Sequence, residues 1–156
     1  MVTNLFRRKT FTPRQESLRR ISLFVDLPPA DLVVVDGLVH ERSYLKDEVI
    51  FDQGEDGQAI YVIVGGEVLI CRQGEPRAGH IATLGPGDFF GELALLDNAP
   101  RSAQARAAGA CEVLVIFRDD FVNLLDTHPR IVWQLARHIG ARLRDLVLAA
   151  GAYQHL

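Results

Sequence analysis

Between residues 41 and 117 the chain consists of seven short strand-like runs, and this succession limits its fold more than any other sequence feature. The runs are five to seven residues long, and turn residues divide them, as at Gly65-Gly66 and Gly54-Glu55-Asp56-Gly57. Short strands at regular spacing predict a sandwich or jelly roll rather than a parallel sheet. The predicted strands are Glu41–Leu45, Glu48–Asp52, Ala59–Val64, Glu67–Arg72, His80–Leu84, Ala103–Ala107 and Cys111–Phe117.

Helical patterns precede the predicted strands. The first 13 residues lack an apolar period and are expected to form a loose tail. After them Leu18, Ile21 and Val25 fall on one helical stripe, and residues 30–39 predict a second helix. The β core is therefore expected to have a small helical lead-in.

Helical spacing returns after the last strand. Asp119 or Asp120 is expected to cap a short helix that runs through Leu125. Pro129 suits the first turn of the next helix, which is the longest in the chain and covers residues 131–150. The predicted fold class is mainly β with flanking helices: a jelly roll, or double-stranded β-helix, with N-terminal helices and a long C-terminal helix.

Apolar residues recur every seven positions along the long C-terminal helix. A seam of this length suits a homodimer through residues 131–150. The same residues suit docking of the helix on the β core equally well, and Arg142 stands where the seam requires an apolar residue. The repeating residues are Val132, Ile139, Leu146 and Tyr153, with Leu135 and Ala149 between them.

Composition and charge exclude several classes of function. A chain of 156 residues, 48% of them hydrophobic, has room for one domain with a real core. No apolar run approaches the roughly 20 residues that span a bilayer, and none follows the basic N-terminal residues. We therefore expect no membrane span and a cytoplasmic location. The net charge of −3 argues against a nucleic-acid footprint over the whole chain.

Few residues suggest metal binding or catalysis. Cys71 and Cys111 lie in apolar runs, where a reduced cysteine acts as a small hydrophobe. No nucleophile–base pair is evident, so we expect neither an enzyme nor a bound metal or cofactor. The histidines show no metal-ligand spacing and are expected at the surface. They are His40, His80, His128, His138 and His155.

The stretch from Gly85 to Ala103, GPGDFFGELALLDNAPRSA, changes from an extended pattern to that of a short helix at Gly91. The first amides of a helix have no partner inside it and carry the positive end of its dipole, which suits a phosphate. Glu92 is an acceptor for sugar hydroxyls, and Arg101 is a fork of donors that matches phosphate oxygens. Together they favour a phosphorylated sugar, although an ordinary turn with a surface ion pair has the same pattern.

The segment Phe89–Ala103, FFGELALLDNAPRSA, resembles the phosphate-binding cassette of cyclic nucleotide-binding domains. These domains occur in catabolite-activator-type regulators, cyclic-nucleotide-dependent kinases and gated ion channels. The likeness extends over residues 24–148 and implies one cyclic nucleotide-binding domain there, including the C-terminal helix. An N-terminal tail and helix over residues 1–23 and a C-terminal tail over residues 149–156 complete the implied organisation.

The resemblance also implies a role for each cassette residue. Glu92 would accept a hydrogen bond from the ribose 2′-hydroxyl, and Arg101 would pair with the cyclic phosphate. Gly91, Leu93 and Ser102 would supply backbone or side-chain contacts near the same phosphate. One charge-assisted arginine contact and several amides can neutralise a singly charged phosphodiester.

The base of the nucleotide is less closely specified. Leu146 and Val147 stand where the bacterial activator reads adenine with polar residues, so apolar packing on the purine is the alternative, with a cation–π contact from Arg142. Ser102 is compatible with cAMP and with cGMP. We expect cAMP first and cGMP second. The sequence leaves open an interaction or dimerisation module that has lost nucleotide binding or binds another nucleotide such as cyclic di-GMP.

The resemblance implies an output through another protein. Activators of this type continue into a helix-turn-helix after the long helix, whereas this sequence ends at Leu156, so direct DNA binding is not expected. It contains no kinase or channel segment. The predicted function is a regulatory module that signals through its C-terminal helix to a separate protein effector.

Overall fold

The computed structural model describes residues 10–72, 80–149 and 151, which form eight strands with helices before, among and after them. The helices are α1 (Pro13–Arg19), α2 (Pro29–Asp36), α3 (Glu92–Leu96), α4 (Arg118–Thr127) and α5 (Pro129–Ala149). The strands are β1 (His40–Tyr44), β2 (Val49–Phe51), β3 (Ala59–Gly65), β4 (Val68–Cys71), β5 (His80–Leu84), β6 (Phe89–Phe90), β7 (Gln104–Ala107) and β8 (Cys111–Phe117).

The strands form two antiparallel sheets of four strands each. One sheet has the order β1-β8-β3-β6, and the other has the order β2-β7-β4-β5. Most consecutive strands therefore lie in different sheets, as they do in a jelly roll. The predicted fold class, mainly β with flanking helices, is confirmed.

Strand β3 supplies side chains to two separate apolar cores. Tyr61 and Ile63 pack in the core between the two sheets. Ile60 and Val62 point to the opposite face, as alternation along a strand requires, and pack in a core beneath the helices. A strand that is apolar on both faces must lie centrally, and β3 pairs with both β8 and β6.

Helix α5 packs against the outer face of the first sheet. Ile131 and Leu135 are buried there, and Ile139 is partly buried against the same core. Val132 and Leu146, by contrast, are 42% and 68% exposed. The predicted seven-residue repeat therefore lies along the edge of the docked face, where only Ile139 is partly covered, and its last member, Tyr153, lies outside the described residues.

A second apolar stripe of α5 borders the docked one and faces solvent, except at the partly buried Ile139. Its members alternate in spacing between four and three residues, which is the pattern of a coiled-coil seam. Arg142 is not part of this stripe, so it does not interrupt it. The homodimer itself stays a prediction. The α5 seam consists of Val132, Ala136, Ile139, Leu143 and Leu146.

The N-terminal helices are shorter than their apolar patterns predict. Helix α1 ends at Arg19, and residues 20–26 form turns, so Ile21 is buried but Val25 is 52% exposed. Helix α2 ends at Asp36, and its C-cap, Gly37, keeps a right-handed helical conformation.

The predicted capping of α4 is wrong. Its N-cap is Phe117, which makes no side-chain capping bond, and Asp119 and Asp120 lie in the first turn. Carboxylates in the first turn still interact favourably with the helix dipole.

Two details of the strands also differ from prediction. Strand β6 was not predicted, because two residues are too few to show an alternating pattern; Phe89 and Phe90 pair with Val62 and Tyr61. Ala103 precedes β7 rather than beginning it. Both differences lie within the cassette, residues 89–103, where the chain changes direction twice.

Within residues 10–72, 80–149 and 151, no helix is long and apolar enough to cross a bilayer. The same residues contain no group of three or more His, Cys, Asp or Glu side chains that could hold a metal ion. Cys71 and Cys111 are buried free thiols, in agreement with their prediction as small hydrophobes.

Candidate ligand-binding site

A tight turn joins the start of the cassette to the central strand. The Gly85 amide donates to Oδ2 of Asp88 over 3.0 Å. The Ile63 amide donates to the Asp88 carbonyl over 2.9 Å, and the Gly87 amide donates to the Ile63 carbonyl over 3.0 Å. These hydrogen bonds fix the start of strand β6 against the sheet and thereby fix the position of Gly91, which follows it.

Gly91 follows β6 and is the N-cap of helix α3, in a conformation that suits glycine. Its φ of 89° lies in the left-handed region. A Cβ atom at this position would lie 2.7 Å from Nη1 of Arg101 and 3.3 Å from the carbonyl oxygen of Ala59. The missing side chain thus leaves room for the arginine to approach the backbone.

Arg101 is a buried cation held by backbone carbonyls. Its Nη1 donates to the Gly91 carbonyl over 2.5 Å, and its Nη2 donates to the Ala59 carbonyl over 2.7 Å. The guanidinium also lies 4.1 Å from the centre of the Phe51 ring. Only 5% of Arg101 is exposed, and burial lowers the pKa of its guanidinium.

The charge of Arg101 is not matched by a direct ion pair. No carboxylate of the described residues lies within 4.0 Å of it, and its buried Nε has no hydrogen-bond partner there. A buried charge is costly unless it is paired and hydrogen-bonded. The arrangement is therefore suited to accept an anion.

Glu92 is the first residue of α3 and is 1% exposed. Its Oε1 accepts a hydrogen bond from Nη1 of Arg142 over 3.2 Å. Burial raises the pKa of the Glu92 carboxyl, while its own backbone amide, Arg142 and Arg101 act in the opposite direction. A carboxylate in this setting has a second oxygen for a ligand hydroxyl.

All five cassette residues predicted for the phosphate and ribose line a single concavity of about 70 Å³. Its apolar wall comes from Phe51, Ile70 and Phe90 on three different strands. Sites for small molecules usually measure about 300–1,000 Å³, so a nucleotide requires this concavity to widen. The predicted residues that line it are Gly91, Glu92, Leu93, Arg101 and Ser102.

The two predicted base contacts lie in different surroundings. Arg142 reaches Glu92, on the side expected for the ribose rather than the base. Leu146, one turn further along α5, is 68% exposed and does not line the concavity. The assignment of Leu146 to the base therefore stays a prediction.

His138 lies beside the cassette, a position that was not predicted from the sequence. Its ring lies 4.2 Å from that of Phe89 in β6, and its Nε2 is buried without a hydrogen-bond partner among the described residues. Burial, together with the Arg142 charge, lowers the pKa of the imidazole. The prediction of a surface histidine is wrong here. The i, i+4 spacing of His138 and Arg142 was the available signal, because it places both on one helix face.

The fold and the concavity define a class of protein: a jelly roll that holds an anionic ligand between a short helix and a buried arginine. The chain matches the family model for the cyclic nucleotide-binding domain over residues 41–128. It is 37% identical over 126 residues to the cyclic AMP receptor protein of Thermus thermophilus, an alignment that covers 79% of this chain and 57% of that protein.

Solved structures give the same result. The catabolite activator protein of Thermus thermophilus superposes with a TM-score of 0.74 at 35% identity, covering 83% of this chain and 62% of that one. A cAMP-bound PfPKA-R structure superposes with a TM-score of 0.75 at 28% identity, covering 90% of this chain and 47% of that one.

The chain belongs to the cyclic nucleotide-binding domain family. It spans 57% of the length of the Thermus thermophilus cyclic AMP receptor protein and 58% of that of a CRP-like cAMP-activated global transcriptional regulator of Mycobacterium tuberculosis. The family is a regulatory one, and the resemblance of the cassette is confirmed.

Proposed function

We propose that this chain binds cAMP as its principal ligand and passes the bound state to a separate protein through α5. The role is regulatory rather than catalytic, and we place it in the cytoplasm. The observation that carries the proposal is the buried, unpaired charge of Arg101 on the same concavity as Glu92. The cAMP in the names of the related regulators supports the choice of nucleotide.

Nucleotide binding replaces hydrogen bonds within the chain by hydrogen bonds with the ligand. In the free site the Arg101 guanidinium donates to the carbonyls of Gly91 and Ala59. A cyclic phosphate carries a full negative charge, so its hydrogen bonds with the guanidinium are stronger than those of a neutral carbonyl. The Arg101 side chain turns from these carbonyls toward the phosphate, and this movement widens the concavity. The first amides of α3 donate to the same phosphate.

The ribose lies at Glu92. Its 2′-hydroxyl donates to the carboxylate, whose other interaction is with Arg142. This geometry gives Arg142 a role beside the ribose and leaves the purine to apolar contacts. The exposed Ser102 hydroxyl lines the concavity and accommodates cGMP as the second nucleotide.

Helix α5 contacts the cassette at two points, which makes it the output element. His138 packs on Phe89, and Arg142 binds Glu92. When ligand moves α3 and β6, both contacts change, and α5 shifts between two positions. In a homodimer formed through the α5 seam, this shift also alters the relation between the two copies.

The second candidate is a jelly-roll interaction module that binds no nucleotide. The small volume of the concavity, about 70 Å³, favours it, as do the carbonyl bonds that already occupy Arg101. Against it, a chain without an anionic ligand gains nothing from burying an unpaired arginine.

Isothermal titration calorimetry of the full chain with cAMP, cGMP and cyclic di-GMP separates the two candidates. We expect heat with cAMP, a weaker response to cGMP and none with cyclic di-GMP. Heat with none of the three, from protein whose unfolding is cooperative, contradicts nucleotide binding and leaves the interaction module. Tighter binding of cyclic di-GMP than of cAMP contradicts the choice of ligand.

A further inference from the structure

Helix α5 carries a stripe of arginines on the side away from its apolar seam. Arg130, Arg137 and Arg144 are seven residues apart and exposed. Residues seven apart share one helix face, and Leu143 of the seam lies about 120° around the helix from Arg137. The stripe therefore stays accessible when a second copy covers the seam.

A groove runs beside this stripe, between α5 and residues 22–26. It consists of two concavities of about 440 and 530 Å³ that share Asp26 and Gln134 as walls. Nε2 of Gln134 donates to Oδ2 of Asp26 over 2.5 Å, and Nη1 of Arg130 donates to the Asp26 carbonyl over 2.8 Å. The two walls are thus tied together. We call this feature the α5 groove; the residues that define it are Val25, Asp26, Arg130, Trp133, Gln134 and Arg137.

The α5 groove and the arginine stripe beside it present free cations next to exposed apolar side chains. Trp133 is 64% exposed and Val25 is 52% exposed. In the part of the chain that the structure describes, Arg137 and Arg144 make no ion pair. The Asp26 carboxylate already accepts a hydrogen bond from Gln134. Tryptophan and arginine are the residue types that most often dominate the energy of protein interfaces.

The dimensions indicate the shape of the occupant. At 1.5 Å per residue, successive arginines of the stripe are about 10 Å apart along the helix, and an extended chain covers that distance in about three residues. We propose that the α5 groove binds an extended acidic segment of a partner protein, with a carboxylate at about every third residue and an apolar side chain on Trp133. This inference rests on the proposed function for the role of α5 as output, but the binding itself needs no nucleotide.

Other anionic surfaces fit the α5 groove less well. Nucleic acid and anionic membranes are bound mainly by long-range attraction to an extended basic surface, whereas the chain as a whole has a net charge of −3 and the free arginines of α5 are confined to one stripe. A concavity with one exposed tryptophan suits a peptide with a single anchoring side chain.

A selection from an unbiased twelve-residue peptide library, with the immobilised full chain as bait, tests the proposal. We expect the selected peptides to carry Asp or Glu at three-residue spacing around an apolar residue. Fluorescence anisotropy of a selected peptide should show at least about tenfold weaker binding to the double variant R137Q/R144Q and to W133A. R72Q removes an exposed charge outside the groove and should leave the affinity unchanged.

Three outcomes overturn the proposal: no acidic consensus, unchanged affinity for R137Q/R144Q, or equal losses in R72Q. Stronger binding of the chain to phosphatidylserine vesicles or to a 20-base-pair DNA duplex than to the peptides also overturns it. The same variants are titrated with cAMP, whose affinity should not change. If the chain binds the peptides but not cAMP, the proposed nucleotide ligand is refuted, whereas the proposal that the α5 groove binds an acidic segment is not.

Discussion

Arg142 and Glu92 stand 50 positions apart in the chain, and Nη1 of Arg142 donates to Oε1 of Glu92 over 3.2 Å. The carboxylate is 1% exposed, whereas the arginine side chain is 38% exposed. One residue of the long helix therefore supplies a positive charge to a buried acid of the cassette. The contact joins the proposed ligand site directly to the proposed output element.

Loss of this arginine should loosen the docking of α5. In R142Q the buried Glu92 carboxylate keeps its desolvation cost but loses its cation, so we expect the free energy of unfolding to fall by about 1–2 kcal/mol. Urea denaturation measures the difference. R144Q, two residues away and without an ion pair among the described residues, should lie within about 0.5 kcal/mol of wild type. Equal losses in both variants would contradict the importance of the contact.

Replacement of Arg101 should abolish nucleotide binding. Lysine keeps the charge but lacks the planar fork that matches a phosphate, so R101K is expected to bind cAMP at least about 100-fold more weakly. Calorimetry measures the affinity. R106K is the matched control, because Arg106 bonds with Gln104 and does not line the concavity. Wild-type affinity in R101K would show that the phosphate binds elsewhere.

Gly91 should not tolerate a side chain. Alanine must adopt a φ of 89°, and its Cβ would lie 2.7 Å from Nη1 of Arg101, so we expect G91A to lose about 1–3 kcal/mol of stability. Nucleotide affinity should fall as well, since Arg101 is displaced. G109A is the control, because a Cβ there meets nothing within 4 Å. If thermal unfolding shows G91A to be no less stable than G109A, the close approach at Gly91 is not essential.

Acid should weaken the docking of α5 through His138. Burial, together with the Arg142 charge, lowers the pKa of His138 in the folded chain, although Asp88 acts in the opposite direction. The unfolded chain takes up this proton below about pH 6.5 and the folded chain does so only at lower pH. The contribution of His138 is therefore complete above about pH 6.5 and is lost as pH falls below it.

Glu92 has the opposite dependence, because a raised carboxyl pKa favours the folded chain as pH falls. The Glu92 carboxyl is present in both wild type and H138Q, so its contribution cancels when the unfolding free energies of the two proteins are compared. The difference in unfolding free energy between wild type and H138Q should stay constant from pH 7.5 to about pH 6.5 and shrink from there to pH 5.5. A constant difference over that range would exclude titration of His138.

The α5 seam should determine the oligomeric state. Aspartate at two exposed seam positions, in L143D/L146D, is expected to turn a homodimer into a monomer in analytical ultracentrifugation. L148D introduces the same charge at a 56% exposed position on another helix face and should leave the dimer intact. A wild-type chain that is monomeric at about 100 μM would contradict the dimer.

The strand order and the cassette differ in how far local sequence could predict them. The seven described strands longer than two residues all lie within one position of their predicted limits, because side-chain alternation and glycine turns are local properties. Strand β6 was missed, since Phe89 and Phe90 form a strand only through pairing with β3. The residues predicted for the phosphate and ribose line one concavity, and the sequence could group them because Gly91 to Ser102 form one short contiguous motif.

Contacts of α5 could not be predicted in the same way. The seven-residue repeat does not indicate which side of the helix docks; burial of Ile131 and Leu135 orients the helix so that Arg142 faces Glu92 and Leu143 faces solvent. That orientation depends on the surface beneath the helix, which several distant strands and helices build together.

The sequence by itself therefore determined the jelly roll, the family and the residues of the cassette, because each rests on a period or a motif within a short stretch. Only the tertiary structure decided that Arg142 contacts the cassette, that His138 packs against Phe89, and that an arginine-lined groove remains beside α5. Side chains 50 positions apart meet only once both cores are packed, and packing is a property of the whole chain.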